Sequence, residues 1–87
     1  MKFTQSKDVA WNYLEDNIIA FNLGGNREFH HLNATAAVVF NALGTPRSKE
    51  ELVQALTTEF EVSSEQAAQD LGSLLAELKA KNLIVEA

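Results

Sequence analysis

The chain has 87 residues, no cysteine, one proline and four glycines, and its 7 Lys+Arg against 12 Asp+Glu give a net charge of −5. This length predicts a single domain over 1–87 with a thin core, burying about 60–65% of the unfolded surface. The lack of cysteine excludes a disulfide framework, a thiolate zinc site and a cysteine nucleophile, and the acidic balance argues against a nucleic-acid backbone as partner. Apolar runs are short, as within Ala34–Phe40, which Thr35 interrupts. None approaches the ~20 residues that cross a bilayer, and Met1–Asp8 has no signal-type apolar segment. A cytoplasmic protein with no membrane partner is expected, its residues 1–8 reading as a disordered tail.

From Val9 the pattern is that of strands. Val9, Trp11 and Tyr13 alternate with Ala10, Asn12 and Leu14, and Glu15-Asp16-Asn17 supplies a turn. Ile18–Leu23 is β-branched and aromatic, Gly24-Gly25-Asn26 tolerates positive φ, and Arg27–Leu32 reads as a third strand. The expectation is a three-stranded antiparallel meander.

After Asn33 the period becomes helical. Asn33 suits the N-cap of a helix through Ala34, Ala37, Val38, Phe40 and Leu43, with Gly44 at its end and Pro46 beyond. Ser48 with Glu51 forms a capping-box pattern before a second helix, whose apolar face is Leu52, Val53, Leu56 and Phe60. Ser63 with Gln66 repeats the pattern before a third, carrying Ala67, Leu71, Leu74, Leu75 and Leu78 and ending near Asn82. Leu83-Ile84-Val85 then suits either an added strand or a segment packed under the sheet. The fold class is therefore α+β and winged-helix-like, an N-terminal three-stranded antiparallel sheet followed by a three-helix bundle.

Catalytic chemistry is hard to find in these residues. No Ser-His-Asp set, glycine-rich phosphate loop or apolar carboxylate pair is present, so no enzyme activity and no cofactor are expected. His30 and His31 are the only histidines. Neighbours on a strand face opposite ways, so they cannot chelate one ion together, and no metal site is expected. Trp11, Tyr13, Phe21 and Phe29 read as core filling, with one of them marking a groove as the sharper alternative. On the third helix a core stripe is flanked on one side by Asp70, Glu77 and Lys81 and on the other by Ala68, Gly72, Leu75 and Lys79. Gly72 there suggests either close approach of another backbone or a tolerated surface glycine. Residues Glu59 to Ala87 hold six acids and two lysines, so a neutral or basic peptide suits this region better than DNA.

These residues together resemble the PqqD family of precursor-peptide recognition elements. The resemblance runs over about residues 9–86. It rests on Trp11 in the first strand and the glycine turn, then Leu32-Asn33 with Thr35-Ala36-Ala37 and Phe40. Ser48, Glu51-Leu52-Val53, Phe60-Glu61-Val62, Asp70-Leu71, Leu74-Leu75, Leu78 and Asn82-Leu83-Ile84 complete it. It implies a non-catalytic peptide chaperone that captures the leader of a ribosomally made precursor by strand addition and presents it to a modifying enzyme. On this chain the implied peptide site is Arg27, Glu28, Phe29, His30 and His31 on the edge strand, with Asp70, Leu71 and Leu74 on the third helix. Either flank of that helix is compatible with the sequence. His30 stands where relatives often carry an aromatic residue, which implies a more polar pocket, and Phe40 where they often carry tryptophan. The implied partners are the leader peptide and the pathway's enzyme, with the protein a monomer or weak homodimer. Two other readings remain open: a winged-helix DNA-binding regulator, and a structural subunit docked through its sheet edge.

Overall fold

The computed structural model describes residues 1–24 and 28–87. The sheet expected from the alternation is present: β2 (Val9–Leu14), β3 (Asn17–Asn22) and β4 (Phe29–Leu32) pair antiparallel, with β3 in the middle. Arg27 and the Gly25-Asn26 part of the expected turn lie outside the described residues. The helices follow as α1 (Ala34–Ala42), α2 (Lys49–Glu59) and α3 (Ser64–Ala80). Among the described residues no helix is long and apolar enough to cross a membrane.

The caps are those the sequence suggests, with one exception. Asn33 accepts the Ala36 N–H at 3.0 Å. Ser48 and Glu51 form both arms of a capping box. Ser63 accepts the Gln66 N–H, but the Gln66 side chain donates to Asp70 instead of returning to the cap. At the other end of α3, Asn82 takes φ 59°. The Asn82 N–H donates to the Lys79 carbonyl and the Leu83 N–H to the Leu78 carbonyl. This is a Schellman stop with asparagine in the left-handed position.

Residues 1–8 depart from the expected disordered tail. Lys2–Gln5 is a strand, β1, in a second antiparallel sheet between β5 (Arg47–Ser48) and β6 (Ile84–Glu86). The cause is the C-terminus of α1, whose last carbonyls lack helical partners. The Gln5 side chain donates to the Phe40 carbonyl at 2.7 Å, and the Gln5 N–H and Thr4 hydroxyl donate to the Leu43 carbonyl. Phe3 is buried beside them. The apolar tail thus adds a strand, to this second sheet and not to the meander.

The core lies between the meander and the helices. Ile18, Ala20 and Leu32 meet Ala36, Val39, Phe40, Leu52, Leu56, Leu71, Leu75 and Leu78. Only one face of the meander is covered, and core filling holds for only part of its four aromatics. Trp11 packs edge-on to Phe40 at 5.5 Å, but Tyr13 is 50% and Phe29 73% exposed. Phe29 pairs in register with Phe21 on the uncovered face, their rings 4.7 Å apart.

Candidate functional site

A peptide site needs unpaired backbone and a wall beside it. β4 supplies the first: its ladder partner is β3, and its other edge pairs with no strand among the described residues. Alternation then sorts its side chains. His30 and Leu32 lie on the covered face with Ala20 and Ile18, whereas Phe29 and His31 lie on the open face with Phe21 and Ile19. The two histidines therefore point apart, His30 half-buried and His31 exposed. The His31 Nε2 is 2.9 Å from the Asn17 Nδ2.

α3 supplies the wall. Two clefts lie along it on the β4 side. One, of about 390 Å³, joins Glu28 and His30 to Ala80, Lys81 and Asn82. The other, of about 300 Å³, lies where β4 gives way to α1 and joins Asn33, Thr35 and Ala36 to Asp70, Ser73, Leu74 and Glu77. Asp70, Ser73, Glu77 and Lys81 are spaced three, four and four residues apart, which makes one continuous helical stripe. The Asp70–Glu77–Lys81 flank of α3 is the one that lines these two clefts. Gly72 lies on the opposite flank, where a Cβ would meet nothing within 4 Å, so no backbone of this chain approaches it.

Of the residues expected at the site, Glu28, His30, Asp70 and Leu74 line the two clefts. Leu71 does not: it is 1% exposed in the core, one helical step inside the lining stripe. Phe29 and His31 flank the edge on the outer face, and Arg27 lies outside the described residues. Sequence reasoning missed Asn33, Thr35, Ser73 and Asn82. The spacing signal for Ser73 was available in the Asp70–Lys81 stripe.

The groove is polar and mainly acidic. The Gln66 amide donates to Asp70 at 2.8 Å, and Lys81 pairs with Glu77 at 2.9 Å. Glu28 and Asp70 therefore have no cationic partner among the described residues. One polar strut spans the space between sheet and helix. Asn22, 3% exposed, donates through Nδ2 to the Asn82 carbonyl at 2.6 Å and accepts the Gly24 N–H at 2.9 Å.

Comparison with known proteins bears on this arrangement. Residues 17–84 match the family model described as coenzyme PQQ synthesis protein D, PqqD. Among solved structures, lasso peptide synthetase B1 complexed with the leader peptide aligns with a TM-score of 0.81 and 25% identity over 98% of this chain and 99% of that one. TbiB1 in complex with the TbiA(β) leader peptide aligns with a TM-score of 0.82 and 24% identity over 93% of each chain. No curated protein sequence matches.

Proposed function

The chain belongs to the PqqD family, and from that premise we propose that it is a non-catalytic adaptor that captures the leader segment of a ribosomally synthesised precursor and presents it to a modifying enzyme. One observation carries the reading. The unpaired edge of β4 runs beside clefts walled by α3, in a fold shared with a synthetase component complexed with a leader peptide.

The physical mechanism is strand addition. Main-chain hydrogen bonds to β4 give affinity whatever the leader's sequence, and alternate side chains give specificity. An added strand sends one set of side chains toward His30 and the α3 stripe and the other set beside Phe29 and His31. The carboxylates of Glu28 and Asp70 favour a neutral or basic leader on the groove side. His30 makes that side more polar than an aromatic residue would.

The test is a nuclear magnetic resonance titration with the leader of any short precursor peptide encoded near this chain. Amide shifts are expected in Phe29–Leu32 and along Asp70–Lys81. Shifts confined to α1 and α2 would rule out the groove.

A further inference from the structure

The second feature of the surface lies at the opposite edge of the meander. The turn after β2, α1 and the end of α2 enclose a cleft of about 340 Å³. Its floor is apolar, with Ala34, Ala37, Val38 and Phe60 set beside half-exposed Tyr13. Its rim is Glu15, Asp16 and Glu59, with no cation among its lining residues. The cleft continues along α1. Ala34, Ala37, Val38, Asn41 and Ala42 fall on one helical stripe, and Val38 and Glu59 also line a trough of about 430 Å³ between α1 and α2, whose one cation, Arg47, is paired with Glu51 at 3.6 Å.

We propose that this cleft is the adaptor's docking surface for the modifying enzyme, and that it receives an apolar side chain flanked by lysine or arginine. The inference rests on the adaptor reading, since an adaptor must hold two things at once. Charge selects the occupant. An acidic rim repels a second copy of this chain, whose net charge is −5, and equally repels nucleic acid and anionic lipid. A cationic protein surface is attracted to it and steered toward it. The apolar floor then accepts one large anchoring side chain, the usual centre of a small, strong contact. Strand spacing puts β2 and β4 about 10 Å apart across β3, so a leader on β4 leaves this cleft free.

Two measurements test the proposal. In the first, the probe is the hexapeptide acetyl-Lys-Arg-Leu-Trp-Arg-Lys-amide, titrated into the labelled protein. Saturable amide shifts are expected at Tyr13, Glu15, Ala37 and Phe60, and the double reversal Glu15→Lys with Glu59→Lys should weaken binding at least tenfold. Shifts spread over Asp70 and Glu77, or insensitivity to the reversal, would overturn it. In the second, leader modification is followed in the presence of the full chain. The double reversal should raise the chain concentration giving half-maximal modification at least tenfold, with the leader Kd unchanged. An unchanged half-maximal concentration, or a leader Kd that rises with it, overturns the proposal. Failure of the wild-type chain to bind leader overturns the adaptor reading instead, and the hexapeptide map still decides the cleft.

Discussion

β4 and β2 are the two edges of one three-stranded sheet, yet they are finished differently. On β2 the Asn12 side chain accepts the neighbouring Tyr13 N–H at 2.9 Å, and the strand runs into a turn carrying Glu15 and Asp16. Both devices discourage another strand from pairing there. On β4 no side chain bonds to the backbone of Phe29–Leu32 among the described residues. The lesson is that an edge is opened by omission. Asn12 and the acidic turn separate a guarded edge from an open one, and the clefts beside the two edges differ as well, a polar slot along α3 against an apolar hollow rimmed by acids.

The largest effect on this comparison should come from removing what stands behind the receptive edge. Leu71→Ala deletes a side chain 1% exposed and should cost ~2–5 kcal/mol. Thermal unfolding would show it, and a loss below ~1 kcal/mol would place Leu71 outside the core. Proline in β4 comes next. The His30 N–H bonds inward to Ala20 in the ladder, so His30→Pro serves as the disruptive control. The edge test is His31→Pro, which removes an outward N–H and should weaken leader binding about tenfold, ~1.4 kcal/mol, with far-ultraviolet circular dichroism unchanged. Equal affinity in a folded variant would mean that β4 is not the docking edge. Asn12→Ala probes the other side. Freeing the Tyr13 N–H should release a hydrogen bond worth ~1 kcal/mol and increase self-association in sedimentation. A variant that stays as monomeric as the parent would show that the asparagine does not guard β2.

The smallest effect lies away from both edges. Glu51 accepts the Ser48 N–H, with help from the Ser48 hydroxyl and Arg47, and its carboxyl is held below the usual range. A depressed carboxylate contributes stability above its unfolded pKa and loses it as pH falls through the folded one. Glu51→Gln should therefore flatten the acid limb of the stability curve slightly and leave leader affinity at neutral pH untouched. Acid titration of wild type and variant by circular dichroism decides it.

How much of this was legible in the residues differs by element. The meander and the three helices were, because their periods of 2 and 3.6 are local and the caps at Asn33, Ser48 and Ser63 mark the starts. β1 was not. Lys2–Gln5 has one buried apolar residue, and its order comes from α1 carbonyls more than thirty positions away in the chain. The site was legible in part. A helical wheel shows that α3 has two flanks, but which one meets β4 depends on tertiary packing. The same limit placed Leu71 at the site, since a core stripe and a lining stripe lie one helical step apart. Tyr13 and Phe29 escape the core for different reasons: Phe29 lies on the open face with Phe21, whereas Tyr13 shares the covered face with Trp11 and Ile18 but sits near the end of an edge strand, which alternation alone does not show.

Asn22 has a consequence for timing. Its bond to the Asn82 carbonyl ties sheet and helix together at one end, and the core they share, which includes Leu32, Ala36 and Leu71, ties them elsewhere. A slot tied in this way keeps its width before any peptide arrives, so the protein has no opening step to wait for. In the proposed strand addition the ordering then falls on the leader, which has to straighten against β4. Good and poor leaders should then arrive at similar rates and differ in how long they stay.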